Sequence, residues 1–297
     1  MIGIVTVLYN SENVLEDFFK TLELQTIQDF ILIGIDNNSR DNSIKKFKTL
    51  SSRVGFKTVI LEENENWGIA KGNNIGIIHA INLGCDYVLL SNNDIILYPN
   101  TIANLLNAIS QPNISITVPK ILYYNTNGHI WFGGGHFSIL SGPRHDFIRE
   151  KDEGQANTEK LIDYSPTCFM LLKAAVFQQV GMMDETYFVY WDDTDFIWRA
   201  CHGEKLFMKY VPDACLEHRV GFSSGGEESD FSIKYDNRNK VYFAYKNFSL
   251  IRRSIFFLYT FIRYLFKTRR ELTPEKRSLV INSWKDGFNL YKNTYSK

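Results

Sequence analysis

The stretch YVLLSNND, residues 87–94, joins a short apolar run to four polar residues. The same pattern occurs twice earlier, in IGIVTVLYN at residues 2–10 and in ILIGIDNNS at residues 31–39. A short run that is apolar throughout is typical of a strand that is buried on both faces of a sheet. Polar residues therefore follow the carboxyl end of each of three predicted strands.

Helical patterns separate these strands over the first 125 residues. Apolar residues recur at helical spacing in 14–24, 43–50, 70–83 and 104–109, and further strands are predicted at 56–61 and 115–122. This alternation predicts an α/β fold with a mostly parallel central sheet that helices cover on both faces. Ligands of such sheets bind beyond the carboxyl ends of the strands. We therefore expect Asn10, Asp36 and the run Asn92–Asp94 to lie beside a ligand.

The composition is that of an ordinary globular protein. Of the 297 residues, 44% are hydrophobic and 22% are charged, which excludes a disordered chain, a collagen-like fibre and a multi-span membrane protein. No run of about 18 apolar residues occurs, and residues 1–10 lack the basic start of a secretory signal. The four cysteines are widely spaced and are expected to be reduced thiols. The sequence thus predicts a cytoplasmic protein.

The two ends of the chain differ in charge although the total is zero. Residues 1–230 carry 18 basic and 29 acidic side chains, whereas residues 231–297 carry 15 basic and 4 acidic ones. Such an asymmetry suggests that the two ends meet different partners. We predict a main domain over residues 1–230 and a basic, aromatic-rich helical extension over residues 231–297.

The extension contains an amphipathic helical pattern. Apolar residues recur at i, i+4, i+7, i+11 and i+14, at Ile251, Ile255, Leu258, Ile262 and Leu265. The uncharged run at 254–262 would form about 14 Å of helix, far short of the ~30 Å of a bilayer core. Residues 250–270 are therefore expected to lie on a membrane surface, or to pack on the main domain or on a second subunit. The bulky apolar residues between the basic ones argue against a nucleic-acid partner.

Another signal is the stretch NWGIAKGNNIG, residues 66–76. Its three glycines recur every four residues. This is not the dinucleotide-binding spacing, which would follow the first strand. Because Gly72 and Gly76 would share one helical face, the stretch fits either a helix packed closely on the sheet or a ligand-binding segment.

The densest acidic cluster is YWDDTD, residues 190–195. Three carboxylates within four residues repel one another, which is destabilising unless they cap a helix or meet a cation. The aromatic flanks would remove water from a carboxylate, and this is how a general base acquires a raised pKa. A capping role and a catalytic role are both open. The run Ser91–Asp94 likewise fits a turn or a hard-oxygen site for Mg²⁺ or Mn²⁺.

Together these stretches resemble family 2 glycosyltransferases, over about residues 1–250. Five motifs occur in the family's order: VLYN at 7–10, DNNS at 36–39, the glycine stretch at 66–76, NND at 92–94 and YWDDTDF at 190–196. The glycine stretch is similar to a signature of rhamnosyltransferase-like members, and His218 resembles a histidine of galactofuranosyltransferase-like relatives. The pair Arg238–Asn239 is similar to one that follows the catalytic domain in many members.

The resemblance implies an A-type, Rossmann-like nucleotide-sugar-binding fold, with a donor half at about 1–125 and an acceptor half at about 126–230. Asp94 and His218 would hold a divalent metal ion, Mn²⁺ or Mg²⁺, although Asn92 stands where the family's metal motif begins with an acidic residue. Asp193 would be the catalytic base and Asp192 is the second choice, while Trp191 and Asp192 would contact the acceptor. The residues implied around the sugar donor are Val7, Tyr9, Asn10, Asp36, Asn38, Asn66, Gly68, Lys71, Gly72, Asn73, Asn92 and Asn93.

The implied reaction is an inverting transfer of a sugar, rhamnose among the candidates, from a UDP- or dTDP-linked donor. The acceptor would be a hydroxyl of a glycan or of a polyprenyl-linked saccharide in cell-surface polysaccharide synthesis. Residues 250–270 would then touch the inner face of the plasma membrane or join a homo-oligomer. A catalytically inactive sugar-binding module is an alternative. A sugar-phosphate nucleotidylyltransferase is disfavoured, because residues 8–13 read LYNSEN where a Gly-rich, Arg-containing loop is expected.

Overall fold

The structure, a computed structural model, describes residues 1–220 and 229–295, the side chains of residues 267–269 excepted. Residues 221–228 of the predicted acceptor half and residues 296–297 of the predicted extension lie outside this part of the chain. The strands are β1 (Ile2–Leu8), β2 (Phe30–Asp36), β3 (Lys57–Glu62), β4 (Tyr87–Ser91), β5 (Ile95–Leu97), β6 (Ile114–Tyr123), β7 (Ile130–Phe132), β8 (Gly135–Ser138), β9 (Gly142–His145), β10 (Lys160–Ile162), β11 (Phe169–Lys173) and β12 (Phe207–His218). The helices are α1 (Leu15–Glu23), α2 (Ser43–Ser51), α3 (Gly68–Asn82), α4 (Thr101–Ile109), α5 (Ala175–Val180), α6 (Asp192–Trp198), α7 (Asp230–Asn247), α8 (Leu250–Arg263), α9 (Arg269–Glu271) and α10 (Pro274–Tyr295).

Within the described residues, ten strands form one mixed sheet, whose main path is β10-β12-β6-β11-β4-β1-β2-β3. Strands β4, β1, β2 and β3 are parallel, as the alternation in the sequence predicts. The α/β fold is therefore confirmed; these four strands form one parallel run, and β6 and β12 form a second parallel pair. Strand β11 lies antiparallel between β4 and β6. Its apolar run has the same pattern in either direction, so the sequence could not indicate this reversal.

Helices cover both faces of the parallel strands. On one face, Phe47 of α2 packs against the backbone of Gly34 and edge-on against Phe19 of α1. On the other face, α3 lies so close that a Cβ at Gly72 would come within 2.9 Å of Val7. A Cβ at Gly76 would collide with Val5. The packing of these two glycines on the sheet is confirmed.

The segment after residue 229 is helical, as predicted, but it shares the core of the sheet. Tyr242, Phe243 and Ala244 of α7 are fully buried in the same apolar cluster as β1 and β4. Phe256 of α8 joins this cluster, and Gly287 of α10 packs against the backbone of α7. The break near residue 230 therefore marks a change in charge and does not separate two cores.

The cysteines and the helices agree with two simpler expectations. Cys85, Cys168, Cys201 and Cys215 are all free thiols. Among residues 1–220 and 229–295, no helix combines the length and the apolar character that crossing a membrane requires.

Candidate active site

The polar residues that follow β1 and β2 meet at the carboxyl edge of the sheet. The backbone N–H of Asn10 donates to the Ser39 hydroxyl (3.0 Å), and the backbone N–H of Ser39 donates to Oδ2 of Asp36 (2.9 Å). Asp36 is fully buried, and its Oδ1 has no hydrogen-bond partner. A buried oxygen of this kind is costly unless a ligand supplies a donor. The expected cluster is therefore present and offers a hydrogen-bond acceptor.

Other residues predicted beside the donor lie along the same edge. Tyr9 is 36% exposed just beyond β1. The Asn38 amide donates to the carbonyl of Asn64, which follows β3 (3.1 Å). The Asn93 amide donates to the carbonyl of Val7 (2.8 Å), so the end of β4 is fastened to the end of β1.

The turn that begins α3 is held by two asparagines. Oδ1 of Asn66 accepts the N–H of Gly68 (2.9 Å), and the Asn37 amide donates to the Gly68 carbonyl (2.9 Å). Gly68 has a φ of +81°, and a Cβ there would collide with the carbonyl oxygen of Phe188. Only glycine fits such a position. The start of α3 is thus fixed between the sheet and the segment that leads to α6.

The first turns of α3 contain two asparagines that contact Met183 and one lysine that lies over Trp67. The Asn73 amide, which we predicted beside the donor, faces the sulfur of Met183 (3.7 Å). The Asn74 amide donates to the Met183 carbonyl (2.9 Å). The ammonium group of Lys71 lies 3.0 Å from the centroid of the Trp67 ring at the start of the helix. Lys71 is the cation of this stretch that could meet a phosphate.

Asp94 and His218 come together because β5, which follows Asp94, pairs with the end of β12. Oδ1 of Asp94 lies 3.1 Å from Nε2 of His218, and the Asn92 amide lies 3.4 Å from the same nitrogen. Both side chains are buried; beyond this ion pair, Oδ1 of Asp94 has no hydrogen-bond partner, and Nδ1 of His218 has none. Because 124 positions separate Asp94 and His218, only the family resemblance predicted that they would form a pair.

The pair is electrostatically coupled to Cys168, at the start of β11. Burial lowers the pKa of His218, but Cys168 and the Asp94 carboxylate outweigh it and raise this pKa to about 10. Burial raises the pKa of the Cys168 thiol, His218 lowers it, and the charges of Asp94 and Asp193 raise it further. Cys168 therefore lies within electrostatic range of Asp94 and of Asp193. The two acidic motifs face one region of the molecule.

The backbone that leads into α6 is strained. Phe188, Tyr190 and Trp191 have φ values of +67°, +61° and +66°, in the left-handed region that bulky side chains avoid. Each such residue costs about 1–3 kcal/mol and persists only where its surroundings enforce it. Strain of this kind is concentrated at functional sites, and here it immediately precedes Asp192.

Asp192 and Asp193 lie in the first turn of α6 without a basic partner among the described contacts. Asp192 is 4% exposed, and burial together with the charge of Asp193 raises the pKa of Asp192 well above its ordinary value. Asp193 is half-buried and accepts the N–H of Thr194 (2.6 Å). Burial raises its pKa, against hydrogen bonds from Thr194 that lower it. Both carboxylates therefore hold a proton more readily than an exposed aspartate does.

The third carboxylate of the motif differs from these two. Asp195 is fully buried and accepts hydrogen bonds from Nε of Arg199 (2.9 Å) and from the amide of Asn247 (2.8 Å). It also pairs with the ammonium group of Lys246 at 2.9 Å and accepts from the Tyr187 hydroxyl at 3.2 Å. Asp195 therefore ties α6 to α7.

The sequence model of one protein family, Glycosyl transferase family 2, matches residues 3–179. The chain belongs to this family. The match extends from β1 to α5, so it contains Asp36, the glycine stretch and Asp94. It ends before α6, whose acidic motif lies outside it.

Two relatives of known activity illustrate the branch of family 2. The dTDP-rhamnosyl transferase RfbF of Shigella flexneri is 26% identical over 200 residues, which cover 66% of this chain and 62% of that protein. The N-acetylglucosaminyl-diphospho-decaprenol L-rhamnosyltransferase of Mycobacterium tuberculosis is 23% identical over 266 residues, which cover 82% of this chain and 84% of the relative.

A solved glycosyltransferase structure shares the fold of this chain. The mannosyltransferase PcManGT from Pyrobaculum calidifontis, in complex with GDP-Man and Mn²⁺, aligns with a TM-score of 0.58 at 13% identity. The alignment covers 100% of this chain and 87% of that one. The fold class predicted from the motifs is therefore confirmed.

Trp191 of this family 2 protein does not present a free ring. It is 7% exposed, its indole N–H donates to Asp236 of α7 (2.8 Å), and its ring packs beside Phe243. Helix α7 thus covers most of the ring, and the acceptor contact of Trp191 stays a prediction. Charge and aromatic pattern alone could not reveal this cover.

Two buried asparagines carry roles that the sequence did not single out. Asn37 holds the start of α3 and keeps a partnerless Oδ1 beside Asp36. Asn239 contacts the strained segment before α6. The position of Asn37 directly after a strand was an available signal for the first. Only the resemblance to the Arg238–Asn239 pair pointed to the second.

Proposed function

We propose that this family 2 glycosyltransferase is an inverting enzyme that uses a UDP- or dTDP-linked sugar, with dTDP-rhamnose the first donor to test. The observation that carries the proposal is the pair of carboxylates at the start of α6, Asp192 and Asp193, which no described cation neutralises, in a family 2 fold that also buries Asp94 against His218. Relatives named as rhamnosyltransferases support the choice of donor. The acceptor is proposed to be a glycan or a polyprenyl-linked saccharide.

The nucleotide base is proposed to lie at the ends of β1 and β2. The free Oδ1 of Asp36 can accept the N–H of a uracil or thymine ring, and Tyr9 is exposed beside it. Asn10 and Asn38 shape the two loops through their hydrogen bonds. Lys71, in the first turns of α3, would face the diphosphate, where a cation favours negative charge.

Asp94 and His218 fit a divalent metal ion in part. One carboxylate and one imidazole, both with an unpartnered polar atom, are suitable donors for Mn²⁺ or Mg²⁺. In residues 1–220 and 229–295, however, no group of three or more His, Cys, Asp or Glu residues is placed to hold a metal. Donor phosphate and water would have to complete the coordination. A cation held there would neutralise the charge that develops on the leaving diphosphate.

Asp193 is proposed as the base that takes the proton of the acceptor hydroxyl. It is more exposed than Asp192, and unlike Asp195 it makes no salt bridge in the described structure. Its raised pKa suits a group that accepts a proton during attack. The hydroxyl oxygen bonds to the sugar carbon, the bond to the nucleotide diphosphate breaks on the opposite face, and the proton moves to Asp193.

The test is nucleotide diphosphate release from dTDP-rhamnose and from UDP-sugars, with saccharide acceptors and Mn²⁺. We expect turnover that chelation removes and that Asp94→Ala abolishes, while nucleotide binding survives in part through Asp36. The matched control is Asp213→Ala, an exposed aspartate on the same strand as His218. Near-native turnover of Asp94→Ala at saturating donor would contradict the metal assignment. Failure with every donor and acceptor would favour an inactive sugar-binding module.

Helix α8 is proposed to rest on an anionic membrane surface. One face of the segment consists of large apolar side chains that are 37–76% exposed: Leu250, Ile251, Ile255, Leu258, Phe261, Ile262 and Phe266. Arg263 and Arg270 are also exposed there, and residues 231–297 carry 15 basic against 4 acidic side chains. Apolar side chains with basic neighbours suit an anionic lipid interface. Such a position, at the inner face of the plasma membrane, would bring the enzyme to a polyprenyl-linked acceptor.

Co-sedimentation with vesicles of anionic or neutral lipid at low salt tests this surface. Leu258→Asp should abolish binding to anionic vesicles, whereas Ile281→Asp, at an exposed apolar residue of α10, should leave it unchanged. Equal binding by both variants contradicts the proposal. So does concentration-dependent dimerisation that Leu258→Asp removes without lipid, since it assigns the face to a second copy of the chain.

A further inference from the structure

Asn239 of α7 contacts the whole strained segment before α6. It is fully buried, and its amide nitrogen lies 2.9 Å from the carbonyl oxygen of Tyr187, 2.7 Å from that of Val189 and 2.9 Å from that of Tyr190. Nε of Arg238 donates to Oδ1 of Asn239 (2.8 Å). This bond fixes the amide with its nitrogen toward the segment, because only the oxygen can accept from a guanidinium.

The neighbours of Asn239 on α7 reinforce the contact. Arg238 also donates to the carbonyls of Thr186 (3.2 Å) and Tyr187 (2.8 Å). The Tyr190 and Ser232 hydroxyls lie 3.0 Å apart. Helix α7 thus supplies several polar partners to the segment, and the N–H of Ile69 in α3 supplies another to the Phe188 carbonyl (2.6 Å). Helix α7 lies beyond the stretch that the family model matches.

A partner of this kind is what a strained segment needs. Left-handed φ values at Phe188, Tyr190 and Trp191 are unfavourable for an isolated chain. The carbonyl groups around them therefore have to be held in place from outside. The two amide N–H groups of Asn239 are shared among three of these carbonyls, and Asp192 follows within two residues of the last.

We propose that Asn239 is a positioning residue that aims the Asp192–Asp193 pair at the acceptor hydroxyl. The inference rests on the proposed function, because it acts through the proposed base. Loss of the amide would let the segment relax toward ordinary φ values and move the carboxylates. A displacement of about 1 Å at a reacting group can lower turnover by about 100-fold.

The variant to compare is Asn239→Ala, and its matched control is Asn237→Ala. Asn237 lies on the same helix and also loses polar contacts, to the Ile233 carbonyl and the Trp284 indole, but it does not touch the segment. We expect kcat for transfer to fall about 10- to 100-fold in Asn239→Ala alone. The dissociation constant of the nucleotide diphosphate should stay within about twofold, since the donor site is made by other elements.

Two further readouts separate positioning from general stability. Amide hydrogen exchange of residues 186–191 should accelerate in Asn239→Ala and not in Asn237→Ala. In an Asp193→Asn background, Asn239→Ala should cause no further loss of kcat, because a residue that acts through the base has nothing left to act on. If Asn239→Ala does not fold, Arg238→Met removes part of the same contacts and should lower kcat by about three- to tenfold.

The proposal is overturned if kcat falls equally in Asn239→Ala and Asn237→Ala, or if the losses in the Asp193→Asn background multiply. Native transfer by Asn239→Ala with accelerated exchange also rejects it, since the segment would then be released without consequence. If Asp193→Asn alone transfers sugar at the native rate, that result rejects the proposed base and not the role of Asn239. The two failures are therefore distinguishable.

Discussion

Three aspartates in the first turn of one short helix, α6, have opposite surroundings. At the start of α6, Asp192 and Asp193 are crowded, unpaired with any described cation, and raised in pKa. Two residues later, Asp195 is enclosed by Arg199, Lys246, Asn247 and Tyr187. The contrast shows that burial alone does not decide what a carboxylate does. The partners supplied by α7 make Asp195 structural and leave the other two available for chemistry.

The largest expected effect tests the catalytic side of this contrast. Asp193→Asn keeps the shape of the side chain and removes the proton acceptor, so kcat for transfer should fall by about 10²–10⁴-fold. The melting temperature and nucleotide affinity should stay close to native. Steady-state kinetics with one acceptor, beside thermal unfolding, measure both quantities.

Asp192→Asn is the control for that assignment and should lose less activity. If Asp192→Asn is inactive while Asp193→Asn works, the base is the neighbouring residue. If both variants transfer sugar normally, the base lies elsewhere in the molecule.

The structural side of the contrast should appear as stability. Asp195→Ala leaves Lys246 and Arg199 without their shared partner, and breaking a buried ion pair costs about 3–5 kcal/mol of unfolding free energy. Urea unfolding measures this loss. A stability change below about 1 kcal/mol would show that the ion network contributes little to stability. It would also weaken the contrast between Asp195 and the pair Asp192 and Asp193.

Lowering the pH should reveal the contribution of Lys246 to the unfolding free energy. Burial raises the pKa of Asp184, but Lys246 outweighs it and holds this pKa below its ordinary value. A lowered pKa in the fold adds stability above the unfolded value of about 3.9, and this stability is lost as the pH falls through the folded value. The unfolding free energy of the native protein should therefore decrease more steeply below about pH 4 than that of Lys246→Met. Parallel slopes for the two proteins would contradict this coupling.

The smallest expected effect is a gain. Because the pKa of Asp192 is raised in the fold, its ionisation opposes folding once the pH rises above the unfolded value of about 3.9. Asp192→Asn should therefore increase the unfolding free energy at pH 7 by about 1 kcal/mol. No gain at pH 7, or a gain of the same size at pH 3, would mean that repulsion from Asp193 is already relieved.

The sequence predicted the parts of the fold that depend on local pattern. The strand ends at Asn10, Asp36 and Asp94 were found because apolar runs stop there, and the packing of Gly72 on Val7 because glycines recur on one helical face. The direction of β11 could not be predicted, since an apolar run carries no direction. The different surroundings of Asp193 and Asp195 depend on residues about 50 positions away, which spacing within the motif does not reveal.

The long reach of α7 has a consequence for synthesis on the ribosome. Asn239 contacts Tyr187 across 52 positions, and Lys246 contacts Asp195 across 51. At about 5–20 residues per second, the chain that carries the acidic motif waits several seconds before its partners are made. During that interval the sheet can form while the segment around Asp192 lacks the helix that holds it. A nascent chain stalled before residue 239 should thus display a folded nucleotide site and an unorganised centre for transfer.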